Sequence, residues 1–404
     1  MDSAEREGLR PKGNVPNLRF PEFQGEWEKR TIGEISTIKN GPFGSVLHAD
    51  DYVDEGIPIV TTEHFKNGNL PLSKNGIPQV SEDDYYRLRG YKLEKDDIVF
   101  SRVGSIDINA HVEQPQQGWL FSGRVLRVRP IKSVNSLCLH YILSTESVKR
   151  SIRNRAVGQT MPSINTPILS NTKINIPQSV GEQKKIANLL ALLDERIATQ
   201  NKIIEDLKKL KCAIIEKLYA EVKGTKYFYR QLFNIINERN KQLEYSNVLS
   251  ASQEKGIVSR DDLNLDIQFE RSNINTYKIV RNGDYVIHLR SFQGGFAFSE
   301  KTGVCSPAYT ILRPNGLLVY GYLSNYFTSR DFVKSLIIVT YGIRDGRSIN
   351  VDEWLNMKVI IPSKEQQTHI VNVIESIENK IKNEETYLNC LTNQKQYLLR
   401  QMFI

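Results

Sequence analysis

The stretch QKKIANLLALLDERI at 183–197 returns as QTHIVNVIESIENKI at 367–381, 184 positions further along the chain. In the first copy the apolar positions are Ile186, Leu190, Leu193, Ile197, Ile204, Leu207, Ile214 and Leu218. In the second they are Ile370, Ile374, Ile377, Ile381, Leu388, Leu391, Leu398 and Met402. Steps of four and three alternate, which is the seam of a helix packed along its length on another helix. Two polar residues interrupt each seam at equivalent points, Gln200 and Lys211 in one, Glu384 and Lys395 in the other. Matching breaks predict a single antiparallel pair whose register they help to fix. Each stripe covers about 33 residues, roughly 50 Å at about 1.5 Å per residue.

The repetition extends upstream of the helices. TMPSINTPILSNTKINIP (160–177) parallels GRSINVDEWLNMKVIIP (346–362) through two Ser-Ile-Asn triplets, each followed by an apolar strand and a proline. YKLEKDDIVFSR (91–102) parallels YKIVRNGDYVIHLR (277–290), with a turn, Asp97 or Asp284, and a strand ending in arginine. WEKRTIGEI (27–35) resembles FYRQLFNII (228–236) more weakly. The expected fold is therefore α+β: two similar mixed modules, each followed by one long helix, with pseudo-twofold internal repetition. The mixed parts diverge far more than the helices, as expected of modules that bind different things on one scaffold.

The length of 404 residues suits two to three domains. Hydrophobic residues at 40% and charged residues at 25% exclude wholesale disorder. No apolar run reaches the roughly 18 residues of a membrane span, and MDSAEREGLR has no secretory layout, so a cytoplasmic location is expected. Cys138, Cys212, Cys305 and Cys390 are scattered without a CxxC pair, as in a reducing compartment.

Several chemistries are missing from the sequence. There is no GxxxxGK[ST] phosphate loop, no GxGxxG after a strand, and no Asn-Pro-Pro-aromatic tetrapeptide of adenine methyltransferases. HExxH and paired His/Cys spacings are absent too, so no metal site is expected. The six histidines stand alone, and the aspartate pairs lie in turn-like contexts that turn chemistry explains. No catalytic residue is assigned.

Binding groups, by contrast, are plentiful. Lys39 to Ser45 (KNGPFGS) is a glycine-bounded loop that could bring backbone amides close to a phosphate; the plainer reading of the motif alone is an ordinary glycine turn. Thr61, Thr62, His64 and Lys66 offer hydrogen-bonding groups and a cation. Arg102 with Ser105, and Arg290 with Gln293, follow matching strands; Gln159 lies after the basic run KRSIRNR at 149–155. In the second half Ser252, Gln253, Arg344 and Arg347 complete the set of candidate DNA contacts. Arginine reads guanine in two-pronged fashion and Gln or Asn reads adenine, which suits base recognition in a groove. The charge distribution agrees. Residues 182–222 hold eight Lys/Arg against seven Asp/Glu and 363–404 hold five against five, leaving +7 of the net +8 outside the helices.

These features resemble the specificity subunit of type I restriction–modification systems. The resemblance rests on VPNLRFPEF (15–23), the Trp27 then Ile-Gly-Glu opening, the NGPFGS loop, DDIVFSRVGS (96–105), the paired Ser-Ile-Asn segments and the EQKKIANLLALLDERI helix start. It covers nearly the whole chain; the second opening, near Phe228, lacks both the Trp and the NGPFGS loop. The family implies an N-terminal arm (1–26), two target-recognition domains (27–177 and 223–362), and two spacer helices (178–222 and 363–404) packed antiparallel as a coiled coil. It implies that each domain reads one half of a bipartite, asymmetric double-stranded DNA target. It also implies two methyltransferase (modification) subunits carrying S-adenosylmethionine, and two ATP-dependent restriction subunits with magnesium, none of these cofactors being held by this chain.

Two other readings compete with it. A stand-alone restriction enzyme or methyltransferase needs an active site that the sequence lacks. A coiled-coil scaffold that ignores DNA explains the helices but leaves the doubled Arg, Gln and Gly loops without a purpose. If the helices set the distance between half-sites, inserting four residues in each, about 6 Å, lengthens the preferred spacer and leaves the half-sites unchanged.

Overall fold

The computed structural model describes residues 13–42, 46–158, 160–252, 256–260, 271–288, 295–341 and 348–404. The chain divides into two compact units, one of residues 1–199 and 388–404, the other of residues 200–387. Each unit contains a mixed domain and portions of two long helices, Val180–Ala220 (41 residues) and Lys364–Gln401 (38 residues). Neither helix contains an interior proline, and each begins just beyond the proline that follows a strand, Pro177 after Lys173–Ile176 and Pro362 after Lys358–Ile361.

In the first unit a four-stranded antiparallel sheet runs in the order Ser36–Asn40, Val125–Pro130, Ile98–Ser101, Asn109–His111. The central strand Ile98–Ser101 is buried on both faces. Ile98 and Phe100 face one core with Trp27, Leu139, Ile142, Ile186, Leu190 and Phe403. Val99 faces a second core with Val60, Phe65, Trp119 and Phe121. Alternation along a strand sends successive side chains to opposite faces, so this one strand knits two cores together. A separate antiparallel pair joins Glu28–Thr31 to Lys173–Ile176.

The second unit repeats the plan. Its four-stranded antiparallel sheet runs Phe233–Ile236, Thr310–Pro314, Tyr285–Ile287, Phe296–Phe298. Tyr285 and Ile287 enter one core with Phe327, Trp354, Ile370 and Ile374, while Val286 enters another with Ile311. Thr225–Phe228 pairs with Lys358–Ile361, matching the outer pair of the first unit.

The two long helices pack antiparallel within each unit. In the first, Ile186 and Leu190 share a core with Leu398 and Met402. In the second, Ile215 and Leu218 share one with Ile370 and Ile374. Ile204, Ile381 and Leu391 are buried as the seam predicts, whereas Ile197, Leu207, Ile377 and Leu388 are half-buried. Near the end of the first helix, Ile215 is buried in place of the half-buried Ile214. An ideal helix drifts relative to a 3.5-residue repeat, so the inward position slips by one residue over this length. Each buried Leu or Ile contributes about 1.5–3 kcal/mol relative to exposure.

Sequence motifs that recur turn out to be joints. Gln183 accepts the Asn135 N–H (2.7 Å) and donates to the Pro177 carbonyl (2.8 Å). Its counterpart Gln367 accepts the Val319 N–H (2.8 Å) and donates to the Leu317 and Pro362 carbonyls (3.0 Å each). Both side chains are buried, so each fixes a helix start against its own domain. The Ser-Ile-Asn triplets are helix caps: Asn165 accepts from the Ile168 N–H and Asn350 from the Glu353 N–H.

Asp97 departs from the expectation that turn chemistry explains the aspartate pairs. It does accept the Glu94 N–H (2.8 Å), but it is buried and also takes both arms of the Arg129 guanidinium at 2.7 and 2.8 Å. Asp284 repeats this with the Arg281 N–H (2.9 Å) and with Arg313 at 2.9 Å twice. A buried carboxylate needs a paired cation, and in each sheet the neighbouring strand supplies it.

Candidate nucleic-acid interface

In the first unit the expected binding loops gather at one end of the four-stranded sheet. The Gly41 N–H donates to the Val125 carbonyl (3.1 Å), Ser122 to Val60 (2.9 Å) and Arg102 to Arg124 (2.9 Å). From the other side, the Ile164 N–H donates to the Arg102 carbonyl and the Gly104 N–H to the Pro162 carbonyl, both at 2.9 Å. Thr166 Oγ1 donates to Asn40 Oδ1 at 3.1 Å, tying the loop after the first strand to the Ser-Ile-Asn cap. Five segments far apart in sequence thus share one edge.

The glycines here answer to crowding. A Cβ on Gly41 would lie 2.0 Å from the Ser122 carbonyl oxygen, and one on Gly123 would lie 2.3 Å from that of Pro42. The two turns cross backbone against backbone, which only glycine permits.

The individual candidates divide into three groups. Lys39 is committed within the fold: its ammonium donates to the Gly90 carbonyl (2.7 Å) and lies 4.8 Å from the centre of the Tyr91 ring. Thr61 and His64 form a local cap, the Thr61 N–H donating to His64 Nδ1 at 3.1 Å. Burial, opposed by the Glu63 charge, lowers the His64 pKa and keeps the ring neutral to cap the turn. Arg102 is half-buried and donates from Nη1 to the Gly123 carbonyl (3.1 Å), bracing the same crossing.

A second group faces solvent. Ser105 is exposed on a bend, Thr62 is half-buried, and Lys66 is exposed with its ammonium paired to Glu63. Ser252 is half-buried at the end of the strand Leu249–Ser252, opposite Gly256. The third group, Ser45, Gln159, Gln253, Arg290, Gln293, Arg344 and Arg347, lies outside the described residues. Described backbone flanks six of them: Val157 pairs with Ser163, Ser252 with Gly256, the His288 N–H with the Gly295 carbonyl, and Tyr341 with Ser348.

The basic run 149–155 serves the fold more than its sequence suggests. Arg153 pairs with Asp107 and Glu146, and Arg155 donates to Ser151 and to Thr172 Oγ1 (2.7 Å). Conversely, Arg124 was absent from the sequence candidates, yet it is exposed on the turn that follows Gly123. Its charge, together with the larger effect of Lys66, holds the Glu63 carboxyl below its ordinary range. The signal was a Ser-Gly-Arg turn between two apolar strands, overshadowed by longer arginine-rich loops.

Among the described residues no group of three or more His, Cys, Asp or Glu is placed to hold a metal ion, and no helix is long and apolar enough to cross a membrane. The surface offers hydrogen-bonding groups and cations on a rigid sheet end, which is a recognition surface in chemical terms.

Residues 24–209 match the family described as type I restriction modification DNA specificity domain. Two curated relatives come from Methanocaldococcus jannaschii, the type I restriction enzyme MjaX and MjaVIII specificity subunits. The first is 25% identical, with 91% of this chain and 90% of the relative covered; the second is 25% identical, with 90% and 88% covered. The first half of the chain thus matches the type I DNA specificity domain, and over most of its length the chain is similar to type I specificity subunits. Solved structures agree in fold. The S subunit of a type I restriction–modification system from M. genitalium superposes with a TM-score of 0.56 at 16% identity, covering 96% of this chain and 99% of that one. A second chain, from a study of complex assembly and conformational transition of the type I system, gives 0.57 at 13% identity, covering 95% and 98%. The family match spans one domain and most of the helix that follows it, and the second unit carries the same sheet order and the same joints.

Proposed function

We propose that this chain is the sequence-specific DNA-binding subunit of a type I restriction–modification complex. In this reading, segments 27–177 and 223–362 are the target-recognition domains, each reading one half of a bipartite, asymmetric duplex target. Residues 1–26 form an arm, and 178–222 and 363–404 are the spacer helices. The observation that carries the reading is the specificity-domain match over residues 24–209, on a plan that the chain repeats.

The chain contributes addresses, and partner subunits contribute chemistry. Two modification subunits would bring S-adenosylmethionine and adenine methylation; two restriction subunits would bring ATP, magnesium and cleavage, all in the cytoplasm. Exposed apolar side chains on the helices support such docking. In the first unit Leu192 is 61% and Tyr397 59% exposed; in the second Leu210 is 50% exposed. Apolar groups held out to solvent on a helix suit association with further helices.

The deciding experiment maps methylated adenines in cells that carry this chain with its modification partner. One asymmetric two-part motif is expected, and replacing segment 27–177 by that of another family member should change one half-site only. A change in both halves overturns the domain assignment. Methylation or cleavage by the purified chain alone overturns the non-catalytic role.

A further inference from the structure

A cavity of about 270 Å³ in the first unit lies between the helix Ser136–Leu143, the loop after Phe65 and the last turns of the C-terminal helix. Lys66, Lys149 and Lys395 line it, together with His140, Asn109 and Ser144, and no carboxylate does. Lys66 is balanced by Glu63 and Lys395 by Asp194, both outside the lining, while Lys149 adds a further positive charge.

The hydrogen bonds behind the cavity determine what the His140 ring can offer. Ser144 Oγ donates its single proton to the His140 carbonyl (2.9 Å). It can therefore only accept from Asn109 Nδ2 (3.2 Å), which turns Asn109 Oδ1 toward His140 Nδ1 at 2.7 Å. An oxygen there requires the proton to sit on Nδ1, leaving Nε2 as a bare acceptor. Burial first, then the charges of His111, Lys395 and Lys149, push the imidazole down to about 3. The ring is neutral at neutral pH and, among the described residues, Nε2 has no protein partner.

We propose that this cavity binds free orthophosphate through the three lysine ammonium groups and a P–OH donated to His140 Nε2. The lysines call for an anion and the bare ring nitrogen calls for a donor, and one ligand satisfies both when it carries negative oxygens and an O–H. Orthophosphate does so in both of its ionisation states near neutrality. Sulfate and the diesters of a DNA backbone carry the charge without the proton, so each would set an acceptor against an acceptor.

The test is calorimetric titration of the full chain at neutral pH with sodium phosphate and, separately, sodium sulfate. Saturable phosphate binding is expected, with sulfate at least about tenfold weaker. Lys149→Ala, a half-exposed site on a helix where alanine is well tolerated, should weaken phosphate by about tenfold without altering thermal unfolding of the free chain. Absence of phosphate binding at millimolar concentration overturns the proposal, as does equal affinity for sulfate. If phosphate fails to bind while Lys149→Ala weakens DNA binding by the complex with the modification partner, the lysines serve backbone diesters and the orthophosphate site is refuted.

Discussion

Gln200 donates from Nε2 to the Glu384 carboxylate (2.5 Å) and to the Glu384 carbonyl (3.1 Å), and these two residues are each other's counterparts in the repeat, 184 positions apart. An antiparallel pair of related helices has one level at which equivalent positions meet, and here that level is occupied by a buried amide and a carboxylate. The other polar breaks behave the same way. Lys211 pairs with Glu378 at 2.5 Å, and Lys395 pairs with Asp194, which is the same contact made from the opposite copy. Sliding either helix by one turn would part all three contacts and leave the Gln200 amide buried without a partner. Gln200→Ala should therefore cost about 1–2 kcal/mol in urea unfolding. Gln200→Glu should destabilise at neutral pH and recover part of the loss below the carboxylate range, because two facing carboxylates repel only when ionised. Unchanged stability of both variants would remove this pair from the register argument.

How much of this was legible beforehand differs by element. The helices were legible because an apolar period of 3.5 with two matched breaks leaves few packings, and because the two copies confirmed one another. The four-stranded sheets were legible only as doubled strands such as DDIVFSR, since strand order depends on contacts remote in sequence: Ile98–Ser101 pairs with Val125–Pro130 and Asn109–His111. The candidate contacts were least legible. Lys39 and Arg124 are both basic residues beside glycine turns, yet one is clasped by Gly90 and Tyr91 and the other is exposed. A single basic residue has no periodicity, so its role is set by the neighbours that folding brings to it.

The duplicated ion pair predicts a duplicated sensitivity. Asp97 is 1% exposed and receives both arms of Arg129; Asp284 is 2% exposed and receives both arms of Arg313. Arg129→Met leaves Asp97 buried with only the Glu94 N–H for company. It should cost about 3 kcal/mol, and Arg313→Met a similar amount, in chemical unfolding. Losses below about 1 kcal/mol would class both pairs with ordinary surface bridges.

His140 predicts an acid limb in the stability of the first unit. Its folded pKa is depressed to about 3, chiefly by burial, from the ordinary value of 6.5. Below 6.5 the unfolded chain takes up a proton that the folded chain refuses, so stability is full above that pH and falls as the pH drops toward 3. The slope from this one group is about 1.4 kcal/mol per pH unit. His140→Gln keeps a side-chain amide near Asn109 but does not titrate, and its unfolding free energy should fall less steeply between pH 6.5 and 4.5 than that of the unaltered chain. Identical slopes would show that other groups govern acid unfolding.

The sheet end in the first unit predicts unequal roles for its two basic residues. Arg124 is exposed on a turn that Gly123 presses against Pro42, so its position is fixed while its guanidinium is open to a ligand. Lys39 lies on the adjoining strand but donates to the Gly90 carbonyl at 2.7 Å and covers the Tyr91 ring, so a phosphate would have to outcompete both. Binding of the complex with its modification partner to the mapped target should weaken in Arg124→Ala by about the same factor for matched and mismatched DNA. The dependence of log affinity on log salt should become shallower by about one unit, as for one lost phosphate contact. Lys39→Ala should leave both quantities unchanged and lower the thermal stability slightly instead. A loss confined to one base position in Arg124→Ala would make that arginine a base reader, and a salt slope altered by Lys39→Ala would show that DNA displaces the Gly90 clasp.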